Sequence, residues 1–524
     1  MSNPQNGAAA LLNAAYATGI RVCFANPGTT ELDLVRALDD VPGVRPILGL
    51  FEGVCTGAAD GYARVSGLPA LTLLHLGPGF ANGLANLHNA RRAHSPIVNI
   101  VGDHATWHLP FDAPLTSDIE SLARPMCARV IRIDSASTIV QSVRDAVADA
   151  LAPPGSVVTL IAPSDLMEKT VEDPPEVPPS SAQVRSRQAV PARRVQEAAA
   201  RLLQSESTVI LLGGDSLCER GQRAARRISE STGARLVMES YPPIVALGGD
   251  LPPLERLAYF PQDVIEQLKG AVVMLAGARA PVSYFGYTGQ PSKLVADCQL
   301  VELSSPAEDG VHALETLAGV LPPAAGGSPA RRSVSTQGQE ASVSNLSPVA
   351  VAEELARQMP EDAIVSLEGS TCGGPYLQRA HRAARHRVMT NTGGAIGQGI
   401  PCAVGAAVAA PEARVICLQS DGSAQYTLQA LWTLAREALD VTVIICANHR
   451  YGILQTELRR AGADTSRPAL ARLTCLDEPR LDWLALAQGY GVPCSRAATP
   501  AEFREALRIG LKSSGPYLIE AQLE

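Results

Sequence analysis

Two oxygen-bearing side chains, Asp421 and Asn448, follow two apolar runs of the sequence. The first run, from position 414 to 419, is typical of a short buried strand and leads into Ser420-Asp421-Gly422-Ser423, a sharp turn that can cap a helix. The second run, 441–447, ends directly before Asn448. In a parallel strand–helix–strand unit both strand ends lie at one edge of the sheet. We therefore expect Asp421 and Asn448 to face one point in space.

This pair of side chains suits a small, hard cation. Mg²⁺ prefers carboxylate, amide and carbonyl oxygens and completes its shell with water and phosphate oxygens. The helix expected over 424–439 begins beside Ser423, where free N–H groups and the helix dipole favour phosphate. The pattern predicts a magnesium-bridged diphosphate site. An ordinary Asp-Gly turn with a loop asparagine is the alternative, since such turns are common.

The composition limits the class of protein. A chain of 524 residues predicts about three domains at ~150 residues each. The net charge of −8 comes without runs of like charge, which argues against a nucleic-acid surface or a polybasic membrane patch. We expect no transmembrane helix and no signal peptide. The eleven scattered cysteines lack a Cys-x-x-Cys pair, so we expect free thiols and a cytoplasmic location.

The first part of the chain alternates predicted strands and helices. Strands are expected at 22–25, 44–50, 70–75 and 97–101, and helices at 7–18, from Phe51-Glu52-Gly53 onward, and at 82–92 after a turn at Gly77-Pro78-Gly79. Small residues between positions 58 and 63 leave one helix face nearly bare, so another backbone can approach it closely. This order predicts an open parallel α/β sheet.

Two segments of altered composition divide the chain. Residues 171–190 are rich in proline, and residues 323–347 are rich in small and polar residues, so both are predicted linkers. They separate units at 1–170, 191–322 and 348–524, each predicted to be a doubly wound, parallel-sheet α/β domain. In the middle unit Gly213-Gly214-Asp215 lacks the spaced glycines of a nucleotide loop and predicts a structural turn.

At this point the sequence resembles the thiamine diphosphate (ThDP)-dependent enzymes. Their Gly-Asp-Gly…Asn signature corresponds to Ser420-Asp421-Gly422 and Asn448, with Ser for the first Gly and His449 for a second Asn. Asn26-Pro27-Gly28, Glu52 and residues 59–64 resemble the pyrimidine-binding domain. The resemblance implies pyrimidine-binding, central and diphosphate-binding domains in that order, with ThDP and Mg²⁺ as cofactors. Benzoylformate decarboxylases and acetolactate synthase-like proteins are the most similar groups.

The resemblance also implies roles for individual residues. Glu52 would hydrogen-bond the aminopyrimidine ring, although an acidic residue in the first turn of a helix is also ordinary. The Gly394 carbonyl would accept from the 4′-amino group and Ile396 would bend the cofactor; a Gly-rich turn with a core isoleucine is the alternative. The metal ligands would be Asp421, Asn448 and the backbone carbonyl of Arg450. The remaining cofactor contacts would be Gly422, Ser423, Tyr451, Gly452 and Ile453.

On the substrate side, His75 is the implied acid or base, because it lies at a strand end where benzoylformate decarboxylase carries a histidine. Thr29 corresponds to a serine that contacts the substrate carboxylate, and His104 and His108 are further candidates. The segment 282–288 lacks a central-domain histidine of that decarboxylase, which weakens an aryl 2-oxo acid as substrate. No flavin signature is visible between 190 and 321, so FAD is not expected.

These features predict an enzyme that removes CO₂ from a 2-oxo acid. The remaining acyl unit would be protonated to an aldehyde, as in a decarboxylase, or joined to a second carbonyl compound, as in an acetolactate synthase. A catalytically silent ThDP-binding protein is the alternative from another class. The family resemblance implies a homodimer in which Glu52 of one chain meets Asp421 of the other, with a dimer of dimers as the expected assembly.

Overall fold

The structure, a computed structural model, describes residues 5–171, 186–323 and 345–523. Most of the predicted linkers at 171–190 and 323–347 lies outside these residues; only 171, 186–190, 323 and 345–347 are described. Within them the chain forms three sheets of five to seven strands, one for each predicted unit. The predicted α/β class is confirmed, while the boundaries of the units stay predictions. No helix in the described ranges is long and apolar enough to cross a membrane.

The N-terminal unit is built on a six-stranded, all-parallel sheet in the order β3-β2-β4-β5-β7-β6. Along β5, Val98 and Ile100 pack into one apolar cluster, and Ile97 and Val101 pack into another, so both faces of the sheet are covered. The elements of this unit are β1 (Gln5–Asn6), α1 (Gly7–Ala17), β2 (Val22–Asn26), α2 (Leu32–Asp40), β3 (Arg45–Leu48), α3 (Glu52–Ser66), β4 (Ala70–Leu74), α4 (Leu76–Ala93), β5 (Ile97–Asp103), α5 (Ile119–Ala123), β6 (Arg129–Arg132), α6 (Ile139–Leu151), β7 (Val157–Pro163), α7 (Ser164–Glu168) and β8 (Thr170–Val171).

The central unit has a five-stranded parallel sheet in the order β12-β10-β9-β13-β14. Gly213 directly follows the strand 208–212 and donates its N–H to Ala276 O at 3.0 Å, and residues 214–217 form a short 3-10 turn that leads into the next helix. The elements are α8 (Ala192–Gln204), β9 (Thr208–Leu212), α9 (Glu219–Thr232), β10 (Arg235–Met238), β11 (Ile244–Leu247), β12 (Glu255–Arg256), α10 (Pro261–Gln267), β13 (Val272–Ala276), β14 (Leu300–Ser304) and α11 (Gly310–Val320).

The C-terminal unit has a seven-stranded sheet in the order β11-β16-β15-β17-β18-β20-β19. Its edge strand β11 comes from the middle of the chain and pairs antiparallel with β16, whereas the other pairs are parallel. The elements are α12 (Pro348–Gln358), β15 (Ala363–Glu368), α13 (Ser370–Arg379), β16 (His386–Thr390), α14 (Gly399–Ala409), β17 (Val415–Ser420), α15 (Asp421–Ala424), α16 (Ala430–Arg436), β18 (Val441–Ala447), α17 (Gly452–Arg460), α18 (Pro468–Thr474), α19 (Trp483–Gly489), β19 (Cys494–Ala497), α20 (Pro500–Lys512) and β20 (Tyr517–Gln522).

Two helix predictions were wrong in their bounds. Helix α4 begins at Leu76, so the predicted turn at 77–79 is its first turn; a side chain at Gly79 would lie 2.7 Å from Glu52 Oε1, and glycine allows this close packing. The predicted helix 424–439 is broken over 425–429. Within this break, Thr427 donates from Oγ1 to Gly397 O at 2.6 Å, which ties the segment to the loop before α14.

The N- and C-terminal units pack directly through α3 and α14. A side chain at Gly61 would overlap the backbone of Cys402, and one at Gly405 would overlap the backbone at Ala58, so the two helices cross at backbone distance. The small helix face predicted from the sequence is therefore an interface between units. This crossing fixes Glu52, the first residue of α3, relative to the loop 393–399 that precedes α14.

Candidate active site

Asp421 and Asn448 lie together at the carboxyl edge of the C-terminal sheet. Strands β17 and β18 are neighbours, with Ser420 opposite Cys446. Asp421 is nearly fully buried, and its carboxylate accepts from Gly422 N at 2.9 Å and from His449 N at 2.7 Å. Asn448 accepts from Arg450 N at 3.2 Å. The predicted convergence of the two strand ends is present in the structure.

The electrostatics of this corner favour a cation. Burial raises the pKa of Asp421, while the backbone N–H groups of His449 and Gly422 partly oppose that shift. No lysine or arginine among the described residues forms an ion pair with this carboxylate, which accepts from backbone N–H groups instead. Carboxylate and amide oxygens beside a backbone carbonyl form a donor set that Mg²⁺ accepts. His449 adopts a left-handed φ of 53°, backbone strain of the kind that often marks functional sites.

The residues after Asn448 form the opening of α17. The Tyr451 ring packs on Gly422, where a Cβ would lie 2.7 Å from the ring. Gly452 is the first residue of α17, and Ile453, next along it, is 38% exposed. Ser423 is buried, and its hydroxyl is 2.5 Å from Gln419 Nε2. Tyr451 and Gly452 therefore lie beside the Asp421 turn, whereas the Ile453 side chain faces outward.

The glycine-rich loop before α14 is held by a buried carboxylate that the sequence did not single out. Glu368 accepts from Gly397 N and from Gly399 N, both at 2.7 Å, and burial raises its pKa. Gly394 has a φ of 79°, and Ile396 is half-buried. Glu368 ends β15, beside the strand that leads to Asp421, so the strand-end rule that pointed to Asp421 could also have found it.

Glu52 and His75 lie at the matching edge of the N-terminal sheet. Glu52 is 8% exposed and accepts from Asn82 Nδ2 at 3.0 Å. His75 caps α4, and its Nδ1 lies 2.8 Å from the Glu31 carboxylate. A Cβ at Gly79 would touch both, at 2.7 Å from Glu52 Oε1 and 3.2 Å from His75 Cβ. The two predicted catalytic side chains therefore flank the same turn.

Glu31 is the principal residue that sequence reasoning missed. It is fully buried and accepts from Gly28 N and Thr30 Oγ1, both at 2.7 Å, as well as from His75. Because an ionised carboxylate can only accept, the proton of His75 is assigned to Nδ1, which leaves Nε2 for a reacting group. The Thr-Glu pair after Asn-Pro-Gly was the available signal, but its partner depends on strand order.

The other substrate-side candidates, Thr29, His104 and His108, have different surroundings. Thr29 is exposed, while the hydroxyl of its neighbour Thr30 is 3.4 Å from His75 Nδ1. His104 and His108 lie in the loop after β5 with ring centroids 5.5 Å apart, next to the exposed Trp107. No hydrogen bond among the described residues joins this histidine pair to His75 or to Glu52.

Among the described residues, no hydrogen bond or ion pair connects Glu52 with Asp421. The units that carry them are nevertheless in contact within one chain. Asn86 Nδ2, for example, donates to Gly53 O at 2.7 Å and lies 3.5 Å from Gly397 O. The two carboxylates therefore belong to different sheets of units that pack against each other.

Comparisons with known proteins agree with this two-part construction. Residues 371–521 match the profile of the thiamine pyrophosphate enzyme, C-terminal TPP binding domain, and residues 5–122 match that of the N-terminal TPP binding domain. A Mycobacterium tuberculosis protein, provisionally described as acetolactate synthase large subunit IlvX, is 46% identical over 523 residues, covering 98% of each chain. The chain belongs to the thiamine pyrophosphate enzyme family.

Other relatives of this ThDP enzyme carry a different activity. Benzoylformate decarboxylase of Pseudomonas aeruginosa is 30% identical over 527 residues, covering 96% of each chain. The solved structure of the Rhodococcus jostii ThDP-dependent 4-hydroxybenzoylformate decarboxylase superposes with a TM-score of 0.85 over 99% of each chain at 24% identity, which confirms the ThDP-enzyme fold. The predicted family and fold are therefore confirmed, and the relatives include both acetolactate synthase and decarboxylase members.

Proposed function

We propose that this ThDP enzyme depends on Mg²⁺ and cleaves the C1–C2 bond of a 2-oxo acid with release of CO₂. The observation that carries the proposal is the presence of two separate sets of groups: the buried Glu52 beside the His75–Glu31 pair, and the buried Asp421 beside Asn448. The first set can hold and move protons, and the second can bind a metal. Two turns with only a structural role would not need Glu52 or Asp421, because burying a carboxylate costs free energy.

Each residue has a defined task in this proposal. Asp421, Asn448 and the Arg450 carbonyl would hold Mg²⁺, while the N–H groups around Gly422 and Gly452 would receive the diphosphate. When bound, ThDP supplies a nucleophilic carbon and an electron sink for the departing carboxylate.

The other end of the cofactor would be oriented by three residues. Glu52 would exchange a proton with the aminopyrimidine ring from its nearly dry position. The Gly394 carbonyl and the half-buried Ile396 would set the orientation of that ring. These assignments follow the family resemblance, and the burial of Glu52 supports them.

The position of His75 favours protonation of the acyl unit that remains after CO₂ is released. His75 presents Nε2 as a proton donor or acceptor because Glu31 holds Nδ1, so an aldehyde product is expected. The 46% identical relative supports the second candidate, an acetolactate synthase-type carboligase. Product analysis separates the two, since the ligase joins two 2-oxo acids. A tightly bound flavin, visible in the absorption spectrum, would also favour the synthase-like alternative.

We further propose that the working unit is a homodimer, assembled as a dimer of dimers, with each active site shared between two protomers. The positions of Glu52 and Asp421 on different sheets, with no hydrogen bond or ion pair between them among the described residues, support this assembly. The exposed aromatic side chains of Trp107 and Phe111, in the loop after β5, offer apolar surface for a partner subunit. All eleven cysteines are free, which supports a reducing, cytoplasmic location.

The direct test of the reaction is CO₂ release from a panel of aliphatic and aromatic 2-oxo acids in the presence of ThDP and Mg²⁺. We expect turnover by the wild type and at least a hundredfold loss in Glu52→Gln, whose amide cannot exchange the proton. ThDP affinity of this variant should remain close to wild type. Cofactor binding without turnover of any acid would instead indicate a catalytically silent protein.

A further inference from the structure

A closed loop of the central unit reaches both segments of the C-terminal unit that are assigned to the cofactor. We call residues 281–293 the tyrosine arm. Its ends are tied by Ser283 N, which donates to Ser292 O at 2.8 Å, and by Leu294 N, which donates to Pro281 O at 3.1 Å. The loop therefore has a defined shape, although it contains no regular strand or helix.

One contact of the tyrosine arm is with the glycine-rich loop. The hydroxyl of Tyr284 lies so close to Gly394 that a Cβ there would overlap it. The Tyr284 ring is braced by the rings of Tyr241, Tyr259 and Phe285, with centroids 5.8, 5.2 and 5.2 Å away. Such a packed set of rings can hold the hydroxyl in one position. Tyr284 thus limits the freedom of the loop that carries Gly394 and Ile396.

The second contact is with helix α17. Tyr287 donates its hydroxyl to Glu457 Oε1 at 2.9 Å, a hydrogen bond strengthened by the carboxylate charge. Helix α17 needs such attachments, because none of its nine residues is buried. Next to this contact, the Arg460 guanidinium lies over the Phe260 ring at 3.7 Å, and Gln455 lies 3.3 Å from Thr474 Oγ1 on the other side.

We propose that the tyrosine arm is a positioning element that holds both cofactor-binding segments at once, with Tyr284 against Gly394 and Tyr287 acting through Glu457 on α17. This inference rests on the proposed function, since it takes Gly394 and the opening of α17 as cofactor contacts. Preorganised segments bind a ligand more tightly because less ordering is needed on binding. The arm would therefore contribute to ThDP affinity without touching the reacting atoms.

The test compares Tyr287→Phe, Glu457→Met, whose side chain offers no oxygen acceptor, and the double variant with wild type and with Tyr16→Phe as a control for loss of a distant, partly exposed phenol hydroxyl. The first measurement is the Kd for ThDP at a fixed Mg²⁺ concentration. Each single variant should bind about tenfold more weakly, the loss expected for one charge-assisted hydrogen bond. The double variant should be no weaker than the singles, because both changes remove the same contact.

A second measurement needs no cofactor. Arg459 and Arg460 end α17, so the rate of tryptic cleavage after them reports how often the helix opens. Cleavage should be faster in Tyr287→Phe and Glu457→Met and unchanged in Tyr16→Phe. Tyr284→Phe should weaken ThDP binding without changing this rate, since Tyr284 contacts the other segment.

The outcomes separate the two proposals. If the wild type binds ThDP but the Tyr287 and Glu457 variants keep its Kd and cleavage rate, the arm has no positioning role. Additive losses in the double variant would also overturn the inference, because the two residues would then act independently. If the wild type itself fails to bind ThDP with Mg²⁺, the proposed function fails instead.

Discussion

The pair of His75 and Glu31 offers a way to remove charge from the candidate site while keeping its shape. The Glu31 carboxylate is wholly buried and accepts from three donors, which are Gly28 N, Thr30 Oγ1 and His75 Nδ1. In Glu31→Gln the amide oxygen can take the position that accepts from Gly28 and His75. The amide nitrogen then faces the Thr30 hydroxyl, which can rotate to accept. All three contacts can survive this substitution.

Glu31→Ala has a different cost, because it leaves the Gly28 and His75 N–H groups without an acceptor. At about 1–3 kcal/mol for each unsatisfied group, we expect the free energy of unfolding to fall by about 2–6 kcal/mol. Glu31→Gln should stay within about 1 kcal/mol of wild type. Chemical denaturation of the two variants measures this difference. Glu505→Gln, at an exposed ion pair with Arg508, is the matched control.

The catalytic prediction concerns Glu31→Gln. Without the carboxylate charge, a proton that moves through His75 during turnover loses its stabilising partner, so kcat should fall about tenfold or more. The Kd for ThDP should not change, since no hydrogen bond or ion pair in the described part of the chain joins Glu31 to a predicted cofactor residue. Steady-state kinetics with saturating cofactor measure this effect. Wild-type kcat in a folded, fully loaded Glu31→Gln enzyme would refute the assigned role of the pair.

Three further predictions concern separate parts of the molecule. Gly28→Ala should lower kcat at unchanged ThDP affinity, because the new Cβ would overlap the His75 ring and displace it; kinetics and cofactor titration check this. Burial raises the pKa of Asp421, so Asp421→Asn should leave the cofactor-free protein within about 2 kcal/mol of wild type while abolishing the rise in Tm on adding ThDP and Mg²⁺, as seen by thermal scanning. Burial also raises the pKa of Glu239 to about 7, so its favourable contribution to stability is complete below the ordinary glutamate pKa and is lost as the pH rises through about 7. Glu239→Gln should therefore remove a loss of up to about 3 kcal/mol in the free energy of unfolding between about pH 5 and pH 8, measured by denaturant titration.

The sequence predicted those features that depend on local pattern and on one general rule of parallel sheets. The apolar runs gave the bounds of β18 correctly, and the rule that strand ends share one edge brought Asp421 and Asn448 together. The small-residue face of α3 indicated close helix packing, and the structure shows α14 against it. The pyrimidine-binding and diphosphate-binding motifs, in that order along the chain, were sufficient to predict the family and the fold.

The rest depended on contacts between segments distant in sequence. Glu31 and His75 meet because β2 and β4 are neighbours in the sheet, which no local pattern specifies. The break before α16 lies where Thr427 contacts Gly397, and β11 leaves the middle of the chain to join the last sheet. From the sequence, the tyrosine arm shows only that a central-domain histidine of benzoylformate decarboxylase is missing. Its positioning contacts are visible only in three dimensions.

In the proposed assembly, Glu52 of one protomer and Asp421 of its partner serve the same cofactor. The most direct measurement uses a dimer formed from one Glu52→Gln chain and one Asp421→Ala chain, isolated with two different affinity tags. If the sites are shared, one site carries both substitutions and the other carries neither, so the mixed dimer should show about half of the wild-type kcat. Each parent variant should be nearly inactive. A mixed dimer as inactive as its parents would show that both groups of a site belong to one chain and would contradict the shared active site.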